Sequence, residues 1–252
     1  MAGPRRLGDV RPPVNRCEDA APQPLRAVIF DLDGLIVDTE TPEYLAWRAV
    51  HAAHGWPFPV ESWRLNIGRG DSPFDPLGRF REPDSPMAPE AARALWQGHH
   101  DRLEREYLRP LPGVVALLQS VRAHWLRTAV ASSSRVARVR ERLAQIGLTG
   151  QFDAVAGGDE VPRAKPAPDV YRLAAQRLGV AERSCAALED SASGVRAAKD
   201  AGMWCIAVPS ELTRGMDFSA ADLVVGSLLD VTVDTLTALP ARGGGAGGGA
   251  PA

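Results

Sequence analysis

Four short groups of residues carry the types and spacing that chemistry would need. Asp31 and Asp33 bracket Leu32 directly after the apolar run Arg26-Ala27-Val28-Ile29-Phe30, and Gly34 follows them. Two carboxylates two residues apart at a strand end can face one site, while the glycine lets the backbone turn away. One of them could attack phosphorus as a nucleophile and form an aspartyl-phosphate. The other could protonate the leaving group and then activate water. A solvated Asp-x-Asp-Gly turn is the plain alternative, and this motif alone does not exclude it.

Glu189 and Asp190 follow a second apolar run, Cys185-Ala186-Ala187-Leu188. Adjacent buried carboxylates repel, so they call for a cation or a retained proton. With Asp31 they would form an all-oxygen site suited to Mg2+, which bridges readily to a substrate phosphate. An acidic pair at a helix N-terminus accounts for one of the two acids, but not for both. Ser132 and Ser133 end a third run, Thr128-Ala129-Val130-Ala131, before a helical pattern. Hydroxyls and free N–H groups there suit a phosphate, and plain N-capping by Ser134 or a neighbour suits them equally. Lys165, in Lys165-Pro166-Ala167-Pro168-Asp169, is one of only two lysines in an arginine-rich chain, the other being Lys199. A compact ammonium could neutralise both a nucleophile and a transferring phosphoryl group.

These groups need elements to bring them together. The apolar runs 26–30, 126–131, 152–156, 185–188, 204–208 and 223–225 read as strands. Helical patterns over 114–124, 136–145, 169–178 and 191–201 separate most of them, with Gly147, Gly179 and Gly202 as end signals. Strands alternating with helices predict an α/β fold: a Rossmann-like parallel sheet flanked by helices. Ligands bind beyond the carboxyl ends of such strands, where the polar groups sit. Residues 41–107 break the alternation with helical patterns (43–54 and 89–107) and a Pro- and Gly-rich middle, which predicts an inserted all-helical cap domain. Pro110, Pro112 and Gly113 mark the return. The expected division is a disordered arm over 1–24, the core over 25–40 and 108–240, the cap over 41–107, and a Gly/Ala-rich flexible tail over 241–252.

The bulk numbers exclude several classes. Of the 252 residues, 45% are hydrophobic and 24% charged, as in a globular protein with a real core. A net charge of -2 gives no reason to expect nucleic acid or an anionic membrane as partner. Cys17, Cys185 and Cys205 are too few and scattered for a disulfide framework or zinc site. Cys185 and Cys205 read as inert core residues. No apolar stretch follows Arg5, Arg6 and Arg11, and none approaches spanning length, so a cytoplasmic protein is expected; a monomer is expected as well.

Together the motifs resemble the haloacid dehalogenase superfamily, in its beta-phosphoglucomutase-like phosphatase branch (subfamily I, helical cap). The matching text is Phe30-Asp31-Leu32-Asp33-Gly34-Leu35-Ile36-Val37-Asp38-Thr39-Glu40, Val130-Ala131-Ser132-Ser133-Ser134, Lys165-Pro166-Ala167-Pro168-Asp169 and Leu188-Glu189-Asp190-Ser191, in the family's order across residues 25–230. The resemblance implies a Mg2+-dependent phosphomonoester hydrolase acting on a small phosphorylated metabolite, by default a sugar phosphate. It implies Asp31 as nucleophile, Asp33 as general acid/base with its carbonyl on the metal, and Ser132 and Ser133 at the phosphate. Lys165 would orient the phosphate, and Glu189 and Asp190 would hold the metal, at least one of them through water.

Asp33 separates phosphoryl transfer from dehalogenation, because the dehalogenase branch lacks this second aspartate. The lysine-free insert excludes the Schiff-base chemistry of phosphonoacetaldehyde hydrolases. Beta-phosphoglucomutases carry a cap histidine where this sequence has Glu43, so hydrolysis is preferred to the mutase alternative. A non-catalytic binding or regulatory member is the reading from another class. In the cap, Arg69 within Ile67-Gly68-Arg69-Gly70-Asp71 is the candidate substrate contact, with a plain surface arginine as the alternative. Trp47 reads as packing.

Overall fold

The computed structural model describes residues 23–242. The expected arm as far as residue 22, Cys17, and the tail from residue 243 lie outside the described residues. In chain order the elements are β1 (Ala27–Phe30), α1 (Glu40–Ala52), α2 (Val60–Arg64), α3 (Pro89–Tyr107), α4 (Val114–Ala123), β2 (Arg127–Ala131), α5 (Val136–Gln145), β3 (Ala154–Ala156), α6 (Asp169–Leu178), β4 (Cys185–Glu189), α7 (Ala192–Asp200), β5 (Trp204–Ala207), β6 (Leu223–Val224), α8 (Val233–Thr237) and α9 (Leu239–Arg242). Each predicted strand is present within two residues of its expected ends.

The strands form one parallel sheet in the order β3-β2-β1-β4-β5-β6. β1 and β4 are buried along their whole length. Such runs belong in a parallel sheet, which is covered on both faces. The pleat sends alternate side chains to opposite layers. Val28 and Phe30 pack with Leu117, Leu118, Val139 and Leu143 of α4 and α5. Ala27 and Ile29 pack with Tyr171, Ala174, Val195 and Ala198 of α6 and α7. β1 lies between β2 and β4, so the sheet grows outward in both directions from it. That reversal opens a crevice at the carboxyl ends of these three strands.

The segment between β1 and α4 is helical, and among the described residues it holds no strand. Its apolar residues, including Tyr44, Trp47, Phe58, Trp63 and Phe80, form one cluster with Leu212 from the segment after β5. Trp47 stacks on Trp96 of α3 with ring centroids 5.3 Å apart, which is a packing role. Among the described residues no helix is long and apolar enough to cross a membrane.

Three details differ from the sequence reading. The first insert helix starts at Glu40 rather than Glu43. Pro42 lies in its first turn, where no helical N–H is required, so it does not delay the helix. The Asp38 carboxylate accepts from the Thr41 N–H (2.9 Å) beside that start. α4 ends without a glycine: Trp125, fully exposed, adopts φ 60° itself. The short helices α2, α8 and α9 were not expected, because four or five residues are too few to display a helical period.

Candidate active site

The turn after β1 sets the first two carboxylates. Gly34 N–H donates to the Val37 carbonyl (2.8 Å), and the Ile36 and Val37 N–H groups donate to the Leu32 carbonyl (3.0 and 3.1 Å). Leu32, Leu35, Ile36 and Val37 are buried beneath it. This closed turn leaves Asp31 and Asp33 facing the crevice. Gly34 has φ +91°, and a Cβ there would overlap the Asp190 carboxylate. Gly34→Ala is therefore expected to destabilise the fold by roughly 1–3 kcal/mol. It should also displace Asp190 and weaken divalent-cation binding. Thermal unfolding with and without the cation measures both, and an unchanged cation-induced shift would disprove the link to Asp190.

Asp31, Glu189, Asp190 and Lys165 meet in the buried floor of the crevice. Lys165 Nζ donates to Asp31 Oδ1, to Glu189 Oε1 (2.7 Å) and to the Ala131 carbonyl (2.9 Å). Tyr171, which the sequence reading did not single out, donates its hydroxyl to the same Glu189 Oε1 (2.6 Å). Ser191 Oγ donates to Glu189 Oε2 (3.1 Å), so both oxygens of Glu189 have protein partners. Both oxygens of Asp190 are buried with none.

Electrostatics follow from that crowding. Burial pushes Asp31 up to about 8, against the pull of Lys165, and Glu189 and Asp33 add to the rise. Burial, then Asp31 and Glu189, hold Asp190 well above the usual carboxylate range. Burial works against the Lys165 charge, but Asp31 and Glu189 outweigh it and raise the ammonium above its ordinary value. One cation thus faces three buried carboxylates, whose ligand oxygens lie within 4.8 Å of one another. An unpaired buried carboxylate such as Asp190 costs about 1–3 kcal/mol or more. The orphaned oxygens and the oxygen-only donor set fit a hard divalent cation, which would remove that cost.

Asp33 stands at the edge of this floor. Its Oδ2 accepts from Ser132 Oγ (3.0 Å) and Ser134 Oγ (2.9 Å), and its Oδ1 from Thr39 Oγ1 (2.8 Å). Ser132 is fully buried and its hydroxyl is engaged with Asp33. Ser133 and Ser134 line the cavity, the second with its hydroxyl likewise engaged with Asp33. That cavity, about 230 Å³, is lined by Asp31, Asp33, Glu40, Glu43, Arg69 and Arg138 among others. Arg69 forms a bidentate pair with Asp71 (2.7 and 2.8 Å) on the cavity wall.

The insert closes the site from above. Ser133 Oγ donates to the Gly68 carbonyl (3.4 Å), Ser193 Oγ to the Ile67 carbonyl (3.3 Å), and Gly70 N–H to the Lys165 carbonyl (3.2 Å). Asn66 clamps the loop by bonding both backbone groups of Phe74. Glu40 and Glu43 bring acid to the roof. Burial holds Glu40 well above the usual range and raises Glu43, with Arg138 opposing the second. Arg138 had a signal in the sequence: it lies in the first turn of the helical pattern that starts just after Ser132 and Ser133. Cys185 and Cys205 are buried, and burial pushes Cys185 up to about 12, so neither offers a thiolate to the site.

Comparisons with known proteins bear on this arrangement. A family model described as a haloacid dehalogenase-like hydrolase matches residues 25–202. YhcW of Bacillus subtilis is 36% identical, over 84% of this chain and 96% of its own. Fructose-1-phosphate phosphatase YqaB of Escherichia coli is 34% identical, over 70% of this chain and 92% of its own. A crystal structure of a point mutant of CbbY from Rhodobacter sphaeroides in complex with xylulose-(1,5)bisphosphate superposes with a TM-score of 0.66 at 30% identity, covering 84% of this chain and 99% of that one.

Proposed function

The chain belongs to the haloacid dehalogenase-like hydrolases and is a phosphatase, and we propose that it hydrolyses a small phosphorylated sugar through an aspartyl-phosphate on Asp31, with Mg2+ as the bound cation. The observation that carries this reading is Asp190: two buried, unpartnered carboxylate oxygens beside Asp31, which itself lines the polar cavity. Relatives that act on or bind phosphorylated sugars support the substrate class.

In this reading Asp31 attacks phosphorus, and the bond from phosphorus to the ester oxygen breaks. Asp33 delivers a proton to that leaving oxygen. It then takes a proton from the water that attacks the aspartyl-phosphate, which releases inorganic phosphate and restores Asp31. Three hydroxyls fix Asp33 in place, and each can rotate to suit either protonation state. Lys165 offsets the charge that builds on the transferring group. Asp31, Asp190, the Asp33 carbonyl and Glu189 would hold Mg2+, with Glu189 reaching it through water. When bound, that ion neutralises phosphoryl oxygens. Ser133 receives the phosphate from the cavity wall, with Ser132 beside it at the end of β2. Arg69 and Glu43 reach the remainder of the substrate from the insert, which functions as a cap domain over residues 41–107.

The decisive assay is hydrolysis of an aryl phosphate and a panel of sugar phosphates, with Mg2+ and with chelator. Phosphate release is expected only with Mg2+, and equal rates in chelator would exclude the mechanism. With beta-glucose 1-phosphate and a bisphosphate activator, inorganic phosphate should appear. Accumulating glucose 6-phosphate would mean a mutase instead.

A further inference from the structure

Lys165 has more work than donors. Its three Nζ protons already go to Asp31 Oδ1, Glu189 Oε1 and the Ala131 carbonyl. A phosphoryl group transferring to Asp31 needs a donor from the same ammonium, so one existing bond must be released as the group arrives. The Ala131 carbonyl is fixed at the end of β2. Asp31 is the attacking group. Glu189 Oε1 is the acceptor that can lose Lys165 and still be paired, because the Tyr171 hydroxyl donates to it at 2.6 Å.

Tyr171 is fully buried in the first turn of α6, and its ring centroid lies 4.8 Å from Lys165 Nζ. The ring thus holds the ammonium electrostatically without consuming a particular donor direction. The hydroxyl is also 3.5 Å from Nζ, so ring, lysine and Glu189 form one compact unit.

We propose that Tyr171 is a positioning residue: its hydroxyl keeps Glu189 paired while Lys165 turns from Glu189 to the oxygens of the transferring phosphoryl group. The exchange makes and breaks hydrogen bonds only. It rests on the phosphatase reading above. A tyrosine serving packing alone would need only its ring, and phenylalanine would replace it without functional effect.

Tyr171→Phe separates the two roles, since it retains the ring and removes one atom from a packed site. Three quantities are measured: Mg2+ binding in the absence of anion, orthovanadate binding to the Mg2+-loaded protein, and kcat with KM. Orthovanadate binding and kcat are expected to fall about tenfold, as for loss of one hydrogen bond to a charged group. Mg2+ binding should stay within about twofold and KM should change little. A non-additive loss is also expected in Glu189→Gln, where Tyr171→Phe should cost less than in the parent. Equal weakening of Mg2+ and orthovanadate would overturn the proposal, because the hydroxyl would then merely orient Glu189. Unchanged values for the variant, or an undiminished loss in Glu189→Gln, would overturn it as well. Failure of the parent protein to bind orthovanadate or release phosphate would instead defeat the phosphatase reading.

Discussion

Asp31→Asn is expected to lower kcat by at least about 10⁴-fold, the scale seen when a nucleophile is removed from a concerted site. The amide retains the shape and one acceptor for Lys165, but it cannot form the aspartyl-phosphate. The same variant has a signature in stability. Burial pushes the Asp31 carboxyl up to about 8 in the fold, from an ordinary value of 3.8. A folded value above the unfolded one means the folded state holds the extra proton between those two pH values. Stability is therefore full below about pH 4 and is lost as pH rises through about 8. In chelator the parent protein should lose thermal stability between about pH 4 and pH 8, and Asp31→Asn should lose less. Mg2+ should reverse the parent's loss, because it stabilises the ionised carboxylates. A rate in Asp31→Asn within tenfold of the parent would rule out Asp31 as nucleophile.

Lys165→Met is expected to be the most destabilising of the variants considered. Lys165 is buried between Asp31 and Glu189. Removing one partner of a buried ion pair costs about 3–5 kcal/mol, because the other charge is left uncompensated. For a chain of this size each kcal/mol shifts Tm by about 2–4 °C, so a drop of roughly 6–20 °C is expected. Methionine fills most of the lysine stem's volume, which confines the loss to charge and hydrogen bonds. Part of the drop should return with Mg2+, which can stand in as counter-charge to Asp31. Catalysis should stay low in either condition, because no ammonium faces the phosphoryl group. Scanning calorimetry with and without Mg2+ measures the two parts. A Tm within about 2 °C of the parent would show that the ion pair contributes little net stability.

Both variants act on residues that the sequence singled out, whereas Tyr171 and Glu40 were not singled out at all. The difference is physical. Asp31, Asp33, Glu189 and Asp190 follow apolar runs, and Ser132 and Lys165 sit beside element ends. In an alternating α/β chain those ends converge on one edge, so position along the chain already implies a shared site. Tyr171 lies inside an amphipathic helix, at a position that reads as core. Only the depth of α6 against the sheet reveals that its hydroxyl reaches Glu189. Glu40 reads as an ordinary acid at a helix start, and only the descent of the insert half-buries it in the roof.

What the amino-acid order determined by itself was the list of strands, most of the helices, the helical insert and the four groups of polar residues that meet at the strand ends. Each depends on interactions short in sequence: apolar period, strand ends, glycine and proline. Tertiary structure decided which atoms are left over. Glu189 and Asp190 are neighbours of the same chemical kind, yet Lys165, Tyr171 and Ser191 satisfy the first while the second is left bare. No local pattern distinguishes them, because the partners come from α6, the loop before it and the start of α7. Hydrogen bonding in a buried site is a matter of distances near 3 Å, and such distances are set only once the sheet and its helices have packed.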